Sequence, residues 1–157
     1  ETKDILHSVT VMKKNGNKAL IKNDELEFVY RNSNLKDDIV LKAEFNIQYG
    51  EKNKIEEILK NFKERRETSQ PIKTKTSGSS FKNPDGFYAA KLIQLAGCKD
   101  LMVGEAVVSN KHANFIINTN NATATQIENL GKIIIEKVYN KFQILLEWEI
   151  KIIGDMN

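Results

Sequence analysis

A ten-residue stretch, 77–86, gathers the side chains of this sequence that are best suited to chemistry. It reads Ser-Gly-Ser-Ser-Phe-Lys-Asn-Pro-Asp-Gly. Its glycines and its Asn-Pro pair favour a loop, and helices are predicted on both sides of it. A hydroxyl can donate a proton and a lysine can bind an anion. Because loops on a rigid scaffold concentrate binding and catalytic groups, we predict a functional site here.

Two further candidates lie far from this loop in sequence. Arg31 stands in an irregular polar segment, and Glu149 shares the non-core face of a predicted C-terminal strand with Lys151. Taken singly, each candidate has an ordinary explanation: Ser79 as a loop hydroxyl, Arg31 as a surface arginine, and Glu149 as an exposed carboxylate paired with Lys151. The joint occurrence of an arginine, a hydroxyl and a carboxylate is what favours a site.

The composition is that of an ordinary soluble globular protein, with 40% hydrophobic and 29% charged residues. The 157 residues suffice for one compact domain or two small lobes. The net charge of +3 permits an anionic ligand without demanding nucleic acid. The apolar run 133–135 is far too short to span a bilayer.

The single cysteine and the first residue bear on the setting of the chain. Cys98 has no internal disulfide partner, which suits a reducing cytoplasm, and we expect it to be a small buried residue. The chain begins with Glu1, so we expect a piece of a longer protein.

The strands and helix before residue 70 are predicted from the alternation of apolar and polar residues, from one turn signal and from one helical stripe of apolar residues. Asn15-Gly16 is a strong hairpin signal. Ile55, Ile58, Leu59 and Phe62 form a helical stripe, and Pro71 with the polar stretch behind it marks a domain boundary near residue 70. The predicted elements are strands Leu6–Met12 and Lys18–Lys22, a capped turn at 23–27, a strand at 39–49 and a helix after Gly50.

The remaining part is predicted to mix helices and antiparallel strands, which makes the fold class α+β. The long helix that starts at 121–123 carries Ile127, Leu130, Ile134 and Val138 on one side. Before it come a helix at 87–96 and paired strands at 102–108 and 114–118; after it comes a strand at 144–153.

Motifs for metal or phosphate-loop chemistry are absent from the sequence. There is no GxGxxG, GxxxxGK[ST], CxxC or HExxH. The two histidines, His7 and His112, lack metal-ligand spacing, so we expect no metal.

Three segments, taken together, resemble one family. They are 27–33 (Glu-Phe-Val-Tyr-Arg-Asn-Ser), Gln70-Pro71 followed by 77–84, and 146–154 (Leu-Glu-Trp-Glu-Ile-Lys-Ile-Ile-Gly). Between the last two lie 91–93 (Lys-Leu-Ile), 96–97 (Ala-Gly), 108–115 (Val-Ser-Asn-Lys-His-Ala-Asn-Phe) and 121–124 (Asn-Ala-Thr-Ala). In this order and spacing they resemble the C-terminal half of the UDP-N-acetylenolpyruvoylglucosamine reductase family, over nearly the whole chain.

The resemblance implies a flavin-dependent oxidoreductase of bacterial peptidoglycan synthesis. NADPH would reduce FAD, and the flavin would pass a hydride to UDP-N-acetylglucosamine enolpyruvate, giving UDP-N-acetylmuramate. Residues 1–70 would be the C-terminal part of the FAD-binding domain and 71–157 the substrate-binding domain. The main FAD segments would lie outside this chain, so this fragment alone is expected to be inactive. A cytoplasmic monomer without a nucleic-acid or membrane partner is expected.

The resemblance also implies roles for particular residues. Ser79 would be the proton donor, and Arg31 and Glu149 would hold the substrate carboxylate and stabilise the intermediate. Such a reaction needs both a proton donor and stabilisation of negative charge. Further substrate-binding positions fall on Tyr30, Lys82, Asn83 and His112.

Two positions depart from the family pattern, and other functions stay open. Glu105 stands where the family commonly has a second glycine, and Trp148 is an unusual neighbour for Glu149. A second hypothesis is a stand-alone nucleotide-sugar binding module without redox chemistry. A third is a small basic nucleic-acid binder, for which the sequence lacks the aromatic platforms expected in single-strand binding.

Overall fold

The computed structural model describes residues 1–154, and these divide into two compact units. The first is Glu1–Ile55, and the second starts at Glu56. This division falls inside a helix, whereas the domain boundary near residue 70 stays a prediction.

The first unit is built on a three-stranded antiparallel sheet. Its strands are β1 (Leu6–Met12), β2 (Lys18–Lys22) and β3 (Ile39–Phe45), in the order β2-β1-β3, after a short helix α1 (Thr2–Ile5). The predicted hairpin is confirmed, and Gly16 in its turn has φ of +81°, which glycine adopts without strain. The predicted capped turn is a 3-10 helix at Asn23–Glu25. A small core of Leu6, Val9, Val11 and Leu26 holds this unit together.

The predicted strand at 39–49 is wrong at its C-terminal end. Strand β3 stops at Phe45, and Ile47 lies beyond it with 86% of its surface exposed. Every residue of β3 is exposed, so its alternating pattern does not mark a buried face among the described residues.

Helix α2 (Lys52–Ser69) confirms the helix predicted after Gly50. Its apolar stripe, however, is exposed: Ile58 at 51%, and Leu59 and Phe62 at 60% each. The 3.6-residue spacing therefore identifies the helix correctly, but the expected burial of the stripe is not seen in residues 1–154.

The second unit packs two helices against a four-stranded antiparallel sheet. The sheet has the order β4-β7-β6-β5, and the helices are α3 (Ala89–Leu95) and α4 (Ala124–Phe142). The strands are β4 (Lys75–Ser79), β5 (Met102–Val103), β6 (Ala106–Val108) and β7 (Phe115–Asn118). Leu130, Ile134 and Val138 of α4 are fully buried, as their spacing predicts. Helices with antiparallel sheets confirm the α+β class.

The strand predicted at 102–108 is wrong because a tight turn divides it into β5 and β6. Gly104 has φ of +56°, whereas Glu105 has an ordinary negative φ, so a side chain is tolerated there. The carboxylate of Glu105 accepts hydrogen bonds from the backbone of Asn121 (2.7 Å) and the side chain of Asn120 (3.1 Å). The glutamate thus ties the turn to the segment that leads into α4.

The strand predicted at 144–153 is also wrong. Among the described residues, this segment makes only one isolated bridge, between Trp148 and Phe81. Its alternation does predict burial at the start, because Leu146 is 3% exposed and Leu145 is 66% exposed. The segment bends at Glu149 and Ile150 and, within residues 1–154, forms no ladder with a neighbouring strand.

No helix among the described residues is both long and apolar enough to cross a membrane.

Candidate functional site

The loop that follows Ser79 is held on one side by the start of β7. Ser79 is the last residue of β4 and lies opposite Phe115. The next amide, that of Ser80, donates to the carbonyl of Asn114 at 2.8 Å. Ser80 itself is fully buried, and its hydroxyl has no hydrogen-bond partner within residues 1–154. Of these two serines, only Ser79 is partly exposed, so Ser79 is the hydroxyl that a ligand can reach.

Asn114 fixes the backbone of the loop with its side chain. Its Oδ1 accepts from the Phe81 amide at 3.0 Å, and its Nδ2 donates to the Phe81 carbonyl at 2.8 Å. The side chain thereby replaces a neighbouring strand for one residue, and it is 4% exposed. The role of Asn114 could not be predicted, because nothing local in the sequence shows which backbone groups its side-chain amide will bond.

The C-terminal segment holds the other side of the loop. The Lys82 amide donates to the Glu147 carbonyl at 2.9 Å, and the Glu149 amide donates to the Ser80 carbonyl at 2.9 Å. Glu149 therefore lies across from the residue next to Ser79. The structure brings Ser79, Lys82 and Glu149 together although about seventy residues separate the two segments.

Lys82 and Asn83 both have protein partners. Lys82 Nζ is 3.0 Å from Glu147 Oε2, a solvent-facing ion pair that contributes little to stability. Asn83 Oδ1 accepts from the backbone amide of Ala89 at 2.9 Å, at the start of α3. Asn83 therefore anchors the helix that follows the loop, in addition to its predicted place in the substrate site.

His112 is half-buried beside the loop. Its ring packs edge-on against Phe115, with ring centres 4.7 Å apart, and Phe115 lies opposite Ser79. Burial lowers the pKa of His112, and the positive charge of Lys99 lowers this pKa further. The imidazole is therefore neutral near pH 7. Its Nδ1 is buried without a hydrogen-bond partner in the described part of the chain.

Tyr30 and Arg31 lie in the first unit, on a tight turn. The Val29 and Asn32 backbones exchange two hydrogen bonds of 3.0 and 3.1 Å around them. Arg31 has φ of +59°, in a region that disfavours a side-chain-bearing residue. Its guanidinium carbon stands 5.6 Å from the centre of the Tyr30 ring, within range of a cation–π contact. Both side chains are exposed.

A cavity of about 640 Å³ opens beside β4 in the second unit. Its walls combine apolar groups with two cations. Aromatic and aliphatic walls suit a ring system, and cations suit phosphate groups. One carboxylate, Glu67, also lines the cavity, so its charged lining is mixed. The lining includes Phe62, Ile72, Phe115, Lys63 and Arg66.

Neither a metal centre nor a cysteine nucleophile is found in residues 1–154. No group of three or more His, Cys, Asp or Glu side chains there could hold a metal ion. Cys98 is fully buried, as predicted, and burial raises the pKa of its thiol, which keeps it protonated.

The fold and the site together define an α+β ligand-binding domain with a hydroxyl and a carboxyl on paired segments. The sequence profile described as "UDP-N-acetylenolpyruvoylglucosamine reductase, C-terminal domain" matches residues 70–153. This is more than half of the chain, and the chain belongs to this family.

Full-length relatives agree with this assignment. A UDP-N-acetylenolpyruvoylglucosamine reductase of Exiguobacterium sibiricum is 43% identical over 99% of this chain and 52% of its own length. One from Rickettsia bellii is 41% identical over 100% of this chain and 52% of its own length. The chain thus spans about half the length of the curated relatives it matches.

A solved structure supports the fold. The crystal structure of UDP-N-acetylenolpyruvylglucosamine reductase from Thermus caldophilus matches with a TM-score of 0.80 and 34% identity. The match covers 94% of this chain and 53% of that one.

Proposed function

We propose that this chain is the substrate-binding, proton-delivering part of a reductase that converts UDP-N-acetylglucosamine enolpyruvate to UDP-N-acetylmuramate. This would make it part of peptidoglycan precursor synthesis. The observation that supports the proposal is the backbone pairing of residues 80–82 with 147–149, in which Glu149 meets Ser80, the residue next to Ser79. The family profile, which begins at residue 70, supports a substrate domain over 71–157 and the end of an FAD-binding domain over 1–70.

The proposed chemistry gives one role each to Ser79, Arg31 and Glu149. Hydride addition to a double bond beside a carboxylate builds negative charge, which a guanidinium stabilises in two-point contact. Arg31 takes this role, and Glu149 takes part in holding the substrate carboxylate. Ser79 donates the proton to the carbon next to the one that receives the hydride. FAD, reduced by NADPH, supplies the hydride when bound, and its main binding segments lie outside this chain.

The observed contacts refine the proposed substrate-binding roles. Lys82 binds an anionic group of the substrate by exchanging its contact with Glu147. Asn83 presents its Nδ2, since its Oδ1 already accepts from Ala89. His112, being neutral, acts through hydrogen bonds rather than charge. Tyr30 offers a ring and a hydroxyl next to Arg31.

The proposal extends to the setting of the reaction. The enzyme acts in the cytoplasm as a monomer, and its partners are the nucleotide-sugar substrate and the two redox cofactors. Neither a nucleic acid nor a membrane surface is involved.

The test is a turnover assay on a protein of the relatives' full length that carries this chain. We expect bound flavin, substrate-dependent oxidation of NADPH and formation of UDP-N-acetylmuramate. The 157-residue chain alone should be colourless and inactive. A full-length protein that binds the UDP-sugar but holds no flavin would contradict the proposal and favour a nucleotide-sugar binding module.

A further inference from the structure

A buried glycine interrupts the apolar core of helix α4. Gly131 lies in the middle of this helix, directly after the fully buried Leu130. In a helix interior, glycine is less favourable than alanine. Gly131 has no positive φ that would require glycine, so its backbone conformation does not explain it.

The space beside Gly131 is filled by Trp148. A Cβ added to Gly131 would overlap the six-membered part of the indole, lying 2.5 Å from Cζ2 and 2.8 Å from Cζ3. These distances are far below van der Waals contact, so any side chain at position 131 must displace the ring. The indole therefore occupies the space that a side chain at position 131 would need.

The same indole is held by the loop that follows Ser79. Its ring stacks on Phe81, with centroids 4.7 Å apart and planes at 29°. Phe81 is 1% exposed, and Asn114 already fixes its backbone. Trp148 therefore has two fixed neighbours, one in the helix and one in the loop.

Trp148 sits inside the pairing that joins the loop to the C-terminal segment. The two hydrogen bonds, Lys82 to Glu147 and Glu149 to Ser80, flank the Phe81–Trp148 bridge. Side chains of an extended segment alternate between two faces, so a slip of one residue would turn Glu149 toward the core. A single bridge with two hydrogen bonds gives little resistance to such a slip. The packing of the indole beside Gly131 of α4 supplies the additional constraint on this register.

We propose that Gly131 and Trp148 are positioning residues that fix the register of Glu149 relative to Ser79. This inference rests on the proposed function of Ser79 and Glu149. Because Gly131 has no side chain, the Trp148 ring can pack beside it on helix α4. This packing fixes the position of Trp148 and therefore sets where the next residue, Glu149, meets a substrate.

The test is Gly131→Ala in a full-length enzyme that carries this chain, with the two half-reactions measured separately. We expect reoxidation of the reduced flavin by substrate to slow by about 100-fold, the effect of a displacement of about 1 Å at a reacting centre. Reduction of the flavin by NADPH should be unchanged. Asn129→Ala, at an exposed position of the same helix, is the matched control and should leave both rates unchanged.

A second substitution, at Trp148, tests whether Gly131→Ala acts through the indole ring. Trp148→Leu removes the ring that a Cβ at position 131 would strike, so Gly131→Ala should have little further effect when combined with it. Gly131→Ala should therefore change the rate of the substrate half-reaction and the urea unfolding midpoint in the parent protein. In the Trp148→Leu background it should change both much less.

Three outcomes would overturn the inference. They are full activity of Gly131→Ala, an equal loss in both half-reactions, and the same loss in both Trp148 backgrounds. A wild-type enzyme whose reduced flavin is not reoxidised by substrate would instead overturn the proposed function and, with it, this inference.

Discussion

Glu149 is positioned through its backbone. Its amide donates to the Ser80 carbonyl at 2.9 Å, so its backbone is fixed opposite the residue that follows Ser79. In the proposed reaction Glu149 contacts the substrate carboxylate, and we propose that it does so as a hydrogen-bond donor.

The role of Glu149 as a hydrogen-bond donor predicts a difference between two substitutions. Glu149→Gln keeps a donor in place, whereas Glu149→Ala removes it. Losing one such group costs about 100- to 1,000-fold in kcat, so Glu149→Ala should approach that loss and Glu149→Gln should fall well short of it. Steady-state kinetics of the full-length enzyme measures both, and equal losses would rule out the donor role.

His112 predicts a pH dependence of stability. Its pKa is lowered in the folded state, mainly by burial, from an unfolded value of about 6.5. Above this pH the His112 imidazole is neutral in both the folded and the unfolded state, so its protonation does not change the free energy of unfolding. As the pH falls below it, the unfolded state takes up the proton more readily, and the free energy of unfolding decreases.

Urea unfolding at pH 7.5 and 5.5 checks this sign, with values chosen about one unit on either side of the unfolded pKa. His112→Asn should lose less stability between these two pH values than the parent protein does. His7→Asn, at the exposed histidine of β1, is the matched control. An unaltered pH dependence in His112→Asn would refute the assignment.

At the scale of elements, the loop after β4 depends on contacts that cross the chain. Asn114 satisfies both the amide and the carbonyl of Phe81, and all of these groups are buried. The loop therefore keeps its shape without a continuous strand on either side.

Removing the Asn114 amide should be costly. A buried polar group left without a partner costs about 1–3 kcal/mol, so Asn114→Ala should lower the free energy of unfolding by roughly 2–5 kcal/mol. Asn110→Ala removes an exposed amide of the neighbouring turn that bonds Asp100 at 2.7 Å, and its effect should stay within about 0.5 kcal/mol. Similar losses in the two variants, measured by denaturant unfolding, would contradict the role given to Asn114.

Periodicity predicts these elements well where their partners are regular. The Asn15-Gly16 hairpin and the buried face of α4 follow from local chemistry, and both are confirmed. The segment 144–153 shows the limit of this reasoning. Its alternation predicts that Leu146 is buried, but a strand needs a partner, and within residues 1–154 the segment pairs only with residues 80–82. A partner that distant in sequence leaves no local signal.

The candidate site was likewise predicted only in part from the sequence. Loop chemistry and the resemblance indicate Ser79, Lys82, Asn83 and Glu149, and the structure brings their segments together. The supporting contacts of Asn114 and Gly131 could not be predicted, because an amide or a glycine acquires its role from the group that packs against it.

At the scale of the whole molecule, this chain corresponds to about half of its curated relatives. Its second unit has its own core, built from both helices and the four-stranded sheet. The candidate hydroxyl and carboxyl both lie in this unit, on segments held together by the backbone. We therefore propose that this chain delivers the proton and that this step is separable from reduction of the flavin by NADPH.

The most direct test is to measure the two half-reactions of a full-length Ser79→Ala enzyme. Reduction of the flavin by NADPH should proceed as in the parent enzyme, because no proton from Ser79 is needed there. Reoxidation by UDP-N-acetylglucosamine enolpyruvate should slow by about 10²- to 10⁴-fold, the usual contribution of a general acid. Ser69→Ala, at an exposed hydroxyl of α2, should leave both rates unchanged. If Ser79→Ala slows the two half-reactions equally, or neither, Ser79 is not the proton donor.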